Sequence, residues 1–363
     1  MDKRIQIIVV VVAVVFSVLV LTSPNDPIPL PKPTTNSENE FVTIIAENLD
    51  KPRSIAVSGD RIFVTEKDGL IRVIVNNTLL DSPLATFRTV NAFDGGLLGI
   101  TLHPDFSNNH LLYVFLTYQE DGNLWNKILR ITESNNKLQD AQTIFDKIPG
   151  SSFTNGGFLK FGPDGKLYVG TGAVYDASHL PQNLDSLSGK ILRLNDDGTI
   201  PEDNPFSDSP VYSLGHRNPQ GMTWDNDGNL YVAEVGPEKN DEINLILAGK
   251  NYGWPEVQCS GDTKFEDAII CYDPSIEPGG ILFYSGDKLD FEFPFILSSM
   301  NTANLYQVDF AEGLSSQKSI LSGIGRVRDV VEGPDGSLYV ITSNTDGKGF
   351  PDRTDDKLIR ILK

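Results

Sequence analysis

The feature that most constrains the fold is a short pattern that recurs along the chain. Each copy has a small turn with Asp or Gly and then a strand that reads apolar, aromatic, valine, as in PDGKLYV and PDGSLYV. A weaker copy falls inside ILFYSGDKLDFEFPFILSS, which brings the number of units to six, each of about fifty residues. Repeats of about four strands arranged radially form a β-propeller. The sequence therefore predicts an all-β, six-bladed β-propeller, with aromatic anchors at Phe63, Tyr113, Tyr168, Tyr231 and Tyr339.

The N-terminus differs from the rest of the chain. Lys3 and Arg4 precede an almost unbroken apolar run over 5–21, which at about 1.5 Å per residue is just long enough to cross a hydrocarbon core. No small-residue cleavage site follows, so we expect residues 1–23 to be an uncleaved signal anchor (a transmembrane helix), with a removed signal peptide as the alternative. The positive charge before the run predicts a cytoplasmic N-terminus and an exported remainder.

The segments after the anchor fit an exported location. Residues 24–40 contain five prolines, which keep a chain extended, so we expect a linker between the anchor and a propeller over 41–363. The predicted localisation is the cell membrane, single-pass, with the propeller on the extracellular or periplasmic side. An oxidising compartment would let Cys259 and Cys271 pair, and two buried free thiols are the alternative. A net charge of −19 argues against nucleic acid as a partner.

One segment, residues 213–255, carries most of the chemistry. An Arg–Asn pair stands just before a predicted strand, a Gly–Pro pair stands just after it, and an acidic pair follows. Guanidinium and amide donors suit an anionic ligand, whereas backbone carbonyls and carboxylates suit a hard cation such as Ca²⁺. We therefore expect this segment to hold an anionic cofactor and Ca²⁺ together. Its residues are Arg217, Asn218, Gly236, Pro237, Asp241 and Glu242.

Several longer strings occur in a characteristic order from about residue 41 to the C-terminus. They are GGLLGITLHPDF, NGGFLKFGPDGKLYVGTG, SLSGKILRLNDDG, GHRNPQG, VGPEKNDEINLI, NYGWP and GRVRDVVEGPDGSLYV. Together they resemble the glucose/sorbosone dehydrogenase family, which includes soluble quinoprotein sugar dehydrogenases and aldose dehydrogenases. The resemblance implies a propeller that binds pyrroloquinoline quinone (PQQ) with Ca²⁺ and oxidises the C1 hydroxyl of aldoses by hydride transfer.

The resemblance also implies which residues contact the cofactor. Arg217 and Asn218 match positions that face the carboxylates and quinone oxygens of PQQ, and Arg217 would stabilise developing negative charge. Arg326 and Arg328 match late arginines that pair with the cofactor carboxylates. Asp94, just before GGLLG, stands where relatives carry Glu or Gln and is included among the cofactor-binding residues.

Two Ca²⁺ sites are implied by the same resemblance. The backbone carbonyls of Gly236 and Pro237 would ligate the ion that polarises the quinone. Glu242 and the carbonyl of Tyr252 would belong to a second, structural site.

The chain departs from the family pattern at three polar positions. Thr154 stands where the resemblance places a His that accepts the hydroxyl proton of the sugar, and a threonine hydroxyl cannot accept a proton at neutral pH. Ala173 replaces an Asp, and Val235 replaces a His or Gln near the cofactor. Among the four histidines, His179 in the loop after the third-blade strand is the candidate replacement base. The others are interpreted as a turn residue, a surface residue and a brace for a loop: His103, His110 and His216.

Two classes of function follow from these observations. The first is an exported, membrane-anchored dehydrogenase of a small-molecule aldose, with an electron acceptor that the sequence does not identify. The second is a non-catalytic propeller that binds a saccharide or a protein, as hedgehog-interacting proteins do on similar scaffolds. The retained arginines and carbonyl positions favour the first class, and the loss of the catalytic His favours the second.

Overall fold

The computed structural model describes residues 41–90, 93–174, 179–310 and 316–362. Within these ranges the chain forms six antiparallel sheets, which confirms the predicted all-β, six-bladed propeller. Blade 1 contains β2 (Pro52–Ser58), β3 (Arg61–Glu66), β4 (Leu70–Val75), β5 (Thr78–Leu79) and a short β6 (Ala85–Thr86) that also pairs with β4. Blade 2 contains β7 (Leu97–Leu102), β8 (Leu111–Glu120), β9 (Asn123–Ser134) and β10 (Lys137–Pro149), with a one-turn helix α1 (Phe106–Asn109) after β7.

The next three blades repeat this order along the chain. Blade 3 contains β11 (Gly156–Phe161), β12 (Leu167–Thr171), β13 (Lys190–Leu194) and β14 (Val211–Leu214), with a 3₁₀ turn at Leu180–Gln182. Blade 4 contains β15 (Pro219–Trp224), β16 (Leu230–Glu234), β17 (Asp241–Ile246) and β18 (Ile270–Tyr272). Blade 5 contains β19 (Pro278–Phe283), β20 (Phe295–Ser299), β21 (Asn304–Asp309) and β22 (Ser316–Ser322).

The last blade closes the ring with strands from both ends of the described chain. It contains β23 (Val327–Glu332), β24 (Leu338–Thr342), β25 (Leu358–Leu362) and, at its outer edge, β1 (Phe41–Ala46). β1 pairs antiparallel with β25, from Phe41 opposite Leu362 to Ala46 opposite Leu358. This pairing covers the outer edge of β25 and joins the two ends of the ring by backbone hydrogen bonds.

The aromatic anchors of the repeat occupy the second strand of each blade. Tyr168, Tyr231 and Tyr339 are each the second residue of β12, β16 and β24. The second residue of β20 is Ile296, which explains why the fifth unit is weak in the sequence although the blade itself is regular. Apolar side chains pack between neighbouring sheets, as where the ring of Phe63 meets Phe106 at 5.6 Å between centroids.

The first strand of each blade lies innermost, and these six strands contact one another around a central channel. The second residue of each innermost strand is therefore a channel position. At Gly279 an added Cβ would lie 2.0 Å from the carbonyl oxygen of Arg328, so only glycine fits there. The six positions are Arg53, Leu98, Gly157, Gln220, Gly279 and Arg328.

Two expectations concern the exported location. The proposed anchor over 1–23 and the linker over 24–40 lie outside the described residues, and within the described ranges no helix is long and apolar enough to span a membrane. Cys259 and Cys271 form a disulfide with their Cα atoms 5.5 Å apart, so the paired alternative is the one found.

Candidate functional site

A cavity of about 570 Å³ opens at the end of the channel where the innermost strands begin. Its walls are the starts of these strands and the loops that follow the second strands of the blades. The blade geometry therefore brings together side chains that are far apart in sequence. Eight of the residues selected from the sequence line this cavity: Asp94, Thr154, Arg217, Asn218, Gly236, Pro237, Arg326 and Arg328.

Four selected residues do not line it: His179, Asp241, Glu242 and Tyr252. His179 is exposed at the start of the 3₁₀ turn, because Lys190 Nζ donates hydrogen bonds to the carbonyls of Leu180 and Pro181 and anchors the loop against β13. The arrangement gives no support to His179 as the replacement base. Glu242 lines a neighbouring cavity of only about 10 Å³, and Tyr252 lines neither cavity.

The main cavity is rich in cations, two of which lack an anionic partner. The buried Nε of Arg53 has no hydrogen-bond partner among the described residues. Arg328 donates to Gln220 Oε1 at 2.6 Å and to Met300 Sδ at 3.2 Å, and none of the described carboxylates forms an ion pair with it. Burial lowers the pKa of both guanidinium groups, to about 9 for Arg328, and both remain charged at neutral pH. Buried cations without partners favour binding of an anion.

Arg326 is different from Arg328 although both line the cavity. Its Nη2 lies 3.0 Å from Glu277 Oε2, and its Nε lies 3.2 Å from Asp346 Oδ2. Lys348 also pairs with Glu277, at 2.8 Å. Arg326 therefore serves mainly to connect the loops of blades 5 and 6, and its charge is already balanced.

A chain of hydrogen bonds crosses the channel floor from Arg328. Gln220, the acceptor for Arg328, donates its Nε2 to Asn218 Oδ1 at 3.0 Å. The same Asn218 oxygen accepts the backbone N–H of Gly156 at 3.1 Å. Asn218 therefore positions the start of β11, in addition to presenting its amide to the cavity.

Arg217 lies over the Gly–Pro loop. Its Nη1 donates to the carbonyls of Val235 at 2.8 Å and Gly236 at 2.5 Å, and its guanidinium stacks 5.3 Å from the ring centroid of Trp254. These carbonyls converge on a cationic group, which is the geometry that a bound cation requires. The carbonyls of Val235 and Gly236 therefore fit a cation site built from backbone oxygens.

A buried network beneath this loop fixes Arg217. His216 Nδ1 lies 2.5 Å from Glu234 Oε1, while its Nε2 lies 2.8 Å from Ser213 Oγ. The backbone N–H of Arg217 donates to the second oxygen of Glu234 at 2.9 Å. Burial raises the pKa of Glu234, but His216 and these hydrogen bonds outweigh burial and hold it below its usual range. His216 is a brace for the loop, as interpreted from the sequence.

Glu242 lies directly opposite Glu234 in the β16–β17 register. Burial and the Glu234 charge raise the pKa of Glu242 to about 7. Its oxygens accept hydrogen bonds from Cys259 N–H at 2.6 Å and Asn244 Nδ2 at 3.1 Å, and neither donor neutralises it. Two adjacent carboxylates with one unbalanced charge fit a cation, although no three His, Cys, Asp or Glu side chains cluster as a metal site in the described ranges.

Thr154 has an unusual backbone. Its φ of 54° places a β-branched residue in the left-handed region, which Asn, Asp and His tolerate better. Its side chain is 5% exposed, and its Oγ1 has no hydrogen-bond partner among the described residues. Strain and an unsatisfied hydroxyl at one cavity residue are typical of a binding position.

The strain at Thr154 leads to a stability prediction. Replacing Thr154 with Asn should raise the free energy of unfolding by about 0.5–1 kcal/mol, because Asn adopts the left-handed conformation at lower cost. Urea unfolding at pH 7 measures this change. Thr132→Asn in β9, where the backbone is extended, is the control and should not stabilise the protein; an equal gain in both variants would contradict the explanation.

Two aromatic side chains form part of the cavity mouth. Phe93 is 66% exposed and Phe153 is 42% exposed, and their ring centroids lie 4.6 Å apart. The Phe93 carbonyl accepts a hydrogen bond from Lys67, which fixes the loop in place. Exposed aromatic faces beside polar groups suit a ligand that has both apolar and hydroxylated surfaces.

The motifs missed several cavity residues. Arg53 and Gln220 hold the second position of their innermost strands, as Arg328 does, so an alignment of the six repeats by first strands would have identified them. Glu277, Asp346 and Lys348 come from irregular loops, for which the repeat provides no signal.

Comparison with known proteins agrees with this geometry. The family model described as Glucose / Sorbosone dehydrogenase matches residues 49–360. The chain is 32% identical over 342 residues to the aldose sugar dehydrogenase YliI of Escherichia coli, covering 85% of this chain and 91% of that protein. The PQQ-bound aldose sugar dehydrogenase of Streptomyces coelicolor superposes with a TM-score of 0.78 at 32% identity, covering 89% of this chain and 98% of that one. The mouse hedgehog-interacting protein is 28% identical over 57% of this chain and 36% of its own length. The chain belongs to the glucose/sorbosone dehydrogenase family.

Proposed function

We propose that the protein is a PQQ-dependent aldose dehydrogenase that oxidises the C1 hydroxyl of a sugar. The observation that carries this proposal is the pair of guanidinium groups at the floor of the cavity, the half-buried Arg53 and the buried Arg328, which lack anionic partners. PQQ has three carboxylates, and guanidinium groups bind carboxylates with paired hydrogen bonds. A family relative with PQQ bound supports the same assignment.

Each part of the cavity has a separate role in this proposal. Arg53 and Arg328 would hold cofactor carboxylates at the floor, and Asn218 would present its amide to the ring. Bound PQQ supplies the oxidant, since its quinone accepts a hydride from the substrate. The Phe93 and Phe153 rings would cover the apolar face of the sugar at the mouth.

Ca²⁺ is part of the proposal at two places. The converging carbonyls at Gly236 would hold one ion beside the cofactor in place of the Arg217 guanidinium, and a hard cation there acts as a Lewis acid. Glu242 would bind a second ion that balances its charge. We also propose that the propeller is exported and anchored to the cell membrane by residues 1–23.

The test is a titration of residues 41–363, which contain the whole propeller, with PQQ in the presence of Ca²⁺ or EDTA. We expect saturable, Ca²⁺-dependent PQQ binding and the reduction of a redox dye that depends on added aldose. Protein that binds no PQQ, and whose only response to Ca²⁺ is a higher melting temperature, would contradict the enzyme assignment.

A non-catalytic binding propeller is the second candidate. Similarity to the mouse hedgehog-interacting protein and the two exposed aromatic rings at the mouth favour it. On this proposal the cavity mouth contacts a saccharide or a protein and no electron transfer occurs. Saccharide binding by calorimetry without PQQ binding would support this second function.

A further inference from the structure

We propose that the Asp94 carboxylate is the catalytic base of this site and accepts the C1 hydroxyl proton of the sugar. The inference rests on the proposed function, because it assigns a residue to the same oxidation. It fills the role for which Thr154 has no basic atom, and His179 does not line the cavity.

Asp94 is held beside Thr154 by two hydrogen bonds. Its backbone N–H donates to the carbonyl of Ser152 at 2.9 Å, and its Oδ2 accepts the backbone N–H of Thr154 at 3.2 Å. The side chain is half-buried and lines the cavity. A carboxylate therefore stands next to the position where the family resemblance places a proton acceptor.

The other carboxylates of the cavity are less suited to this role. Glu277 is engaged by Arg326 and Lys348, and Asp346 is engaged by Arg326. A carboxylate in an ion pair is a weaker base, because the neighbouring cation favours its charged form. Glu238 is exposed on the loop after β16.

Asp94 itself has no ion-pair partner among the described residues, although two cations face it. Arg53 reaches toward it from β2 and Lys67 from the turn after β3, and each feels its charge without a direct contact. Asp346 acts on both cations, Glu277 and Arg326 also act on Arg53, and Lys51 also acts on Lys67. The oxygen lone pairs of Asp94 that do not accept the Thr154 N–H remain available to a substrate proton.

The unsatisfied hydroxyl of Thr154 complements this base. Its Oγ1 is buried at the cavity wall and has no partner, so it can hydrogen-bond to a sugar hydroxyl that approaches Asp94. Thr154 would then position the substrate, and Asp94 would accept the proton.

The step balances as a two-electron oxidation. The O–H bond at C1 breaks and its proton moves to an Asp94 oxygen. The C1–H bond breaks and its hydride, with both electrons, passes to PQQ as the oxidant, while a C1=O bond forms and the aldose becomes a lactone. Asp94 later releases its proton through the cavity mouth to water.

The experiment compares Asp94→Asn with the unmodified 41–363 protein. Asparagine has nearly the same shape, and its carbonyl oxygen still accepts the Thr154 N–H, so the fold is retained. We expect kcat to fall by about 10²–10⁴-fold, the usual contribution of a general base. PQQ affinity, measured by equilibrium dialysis, should stay within about threefold or become tighter, since a negative charge beside an anionic cofactor is removed.

Two further variants separate a base from a structural residue. Glu238→Gln removes another cavity carboxylate and should reduce kcat less than threefold. Thr154→His in the Asp94→Asn background should recover part of the activity, with an acidic limb governed by imidazole, whose unperturbed pKa is about 6.5. Recovery with this changed pH profile would support the assignment.

The outcomes distinguish this inference from the proposed function. Full activity in Asp94→Asn, or loss of activity in Glu238→Gln alone, overturns Asp94 as the base and leaves the dehydrogenase intact. Asp94→Asn protein that no longer binds PQQ also overturns it, because Asp94 would then serve the cofactor. An unmodified protein that binds PQQ but oxidises no aldose, or binds no PQQ, overturns the proposed function together with this assignment.

Discussion

Replacing Arg328 with Met is expected to weaken PQQ binding while leaving the protein without cofactor as stable as before, or more stable. Truncating one member of a buried charge pair costs about 2–5 kcal/mol, which corresponds to a loss of affinity of roughly 30-fold to several thousand-fold. Calorimetric titration with PQQ in Ca²⁺ measures the first effect. Urea unfolding in the absence of PQQ measures the second.

The substitution should weaken PQQ binding without weakening the fold, because Arg328 has no anionic partner in the protein. A buried cation without a counter-charge destabilises the fold, and its hydrogen bonds to Gln220 and Met300 recover only part of that free energy. An anionic cofactor would supply the missing charge. A residue whose role is to bind the cofactor should therefore destabilise the free protein and be essential for affinity in the complex.

Arg193→Met is the matched control. Arg193 is similarly buried but pairs with Asp203 at 2.7 Å and Asp164 at 3.0 Å, away from the cavity. Its replacement should lower the free energy of unfolding by about 1–3 kcal/mol and leave PQQ affinity unchanged. If Arg328→Met instead destabilised the protein as Arg193→Met does and bound PQQ normally, Arg328 would be a structural residue.

The fold could be predicted because its signal is local and repeated. Turns of the PDG type and alternating strands are determined by neighbouring residues, so they appear in the sequence five times with little change. Closure of the ring by β1 and β25 was not foreseen, because it joins residues more than 300 positions apart and leaves no motif. Ile296 shows the limit of the pattern, since a blade forms without its aromatic anchor.

The candidate site was predicted from one contiguous segment and, elsewhere, from positions that match the family resemblance. Arg217, Asn218 and Gly236 lie in one segment, and all three line the cavity. His179 could not be placed from sequence, because the direction of its loop depends on Lys190, which is tied to the loop carbonyls. Arg53 was missed because its neighbours in space come from other blades, which only the closed ring brings together.

Replacing Glu234 with Ala is expected to lower the free energy of unfolding by about 3–5 kcal/mol at pH 7, because several buried hydrogen-bond donors lose their acceptor. The change leaves His216, the Arg217 N–H and Asn244 without their shared acceptor. Urea unfolding measures it, with the exposed Glu202→Ala as the control that should change by less than about 0.5 kcal/mol. A similarly small change in Glu234→Ala would mean that the network is not structural.

The pH dependence of this contribution has a definite direction. The folded-state pKa of Glu234 is lowered, so its stabilising effect is complete above the ordinary carboxyl range and is lost as the pH falls through the lowered pKa. At pH 7 the full effect of the substitution should appear. As the pH falls below about 4.5 the difference between Glu234→Ala and the unmodified protein should shrink, because the unfolded carboxyl binds a proton first and the folded one follows at its lowered pKa.

Glu242, directly opposite Glu234, should behave in the opposite way in protein treated with EDTA. Its folded pKa is raised to about 7, so the folded state binds more protons than the unfolded state, and stability is lost as the pH rises from about 4.5 to 7. At pH 8, Glu242→Gln should therefore be more stable than the unmodified protein by about 1–3 kcal/mol. A bound cation would balance the charge of the Glu242 carboxylate and offset this destabilisation. Ca²⁺ should therefore stabilise the unmodified protein more than Glu242→Gln. Equal stabilisation of both proteins by Ca²⁺ would show that the ion binds elsewhere.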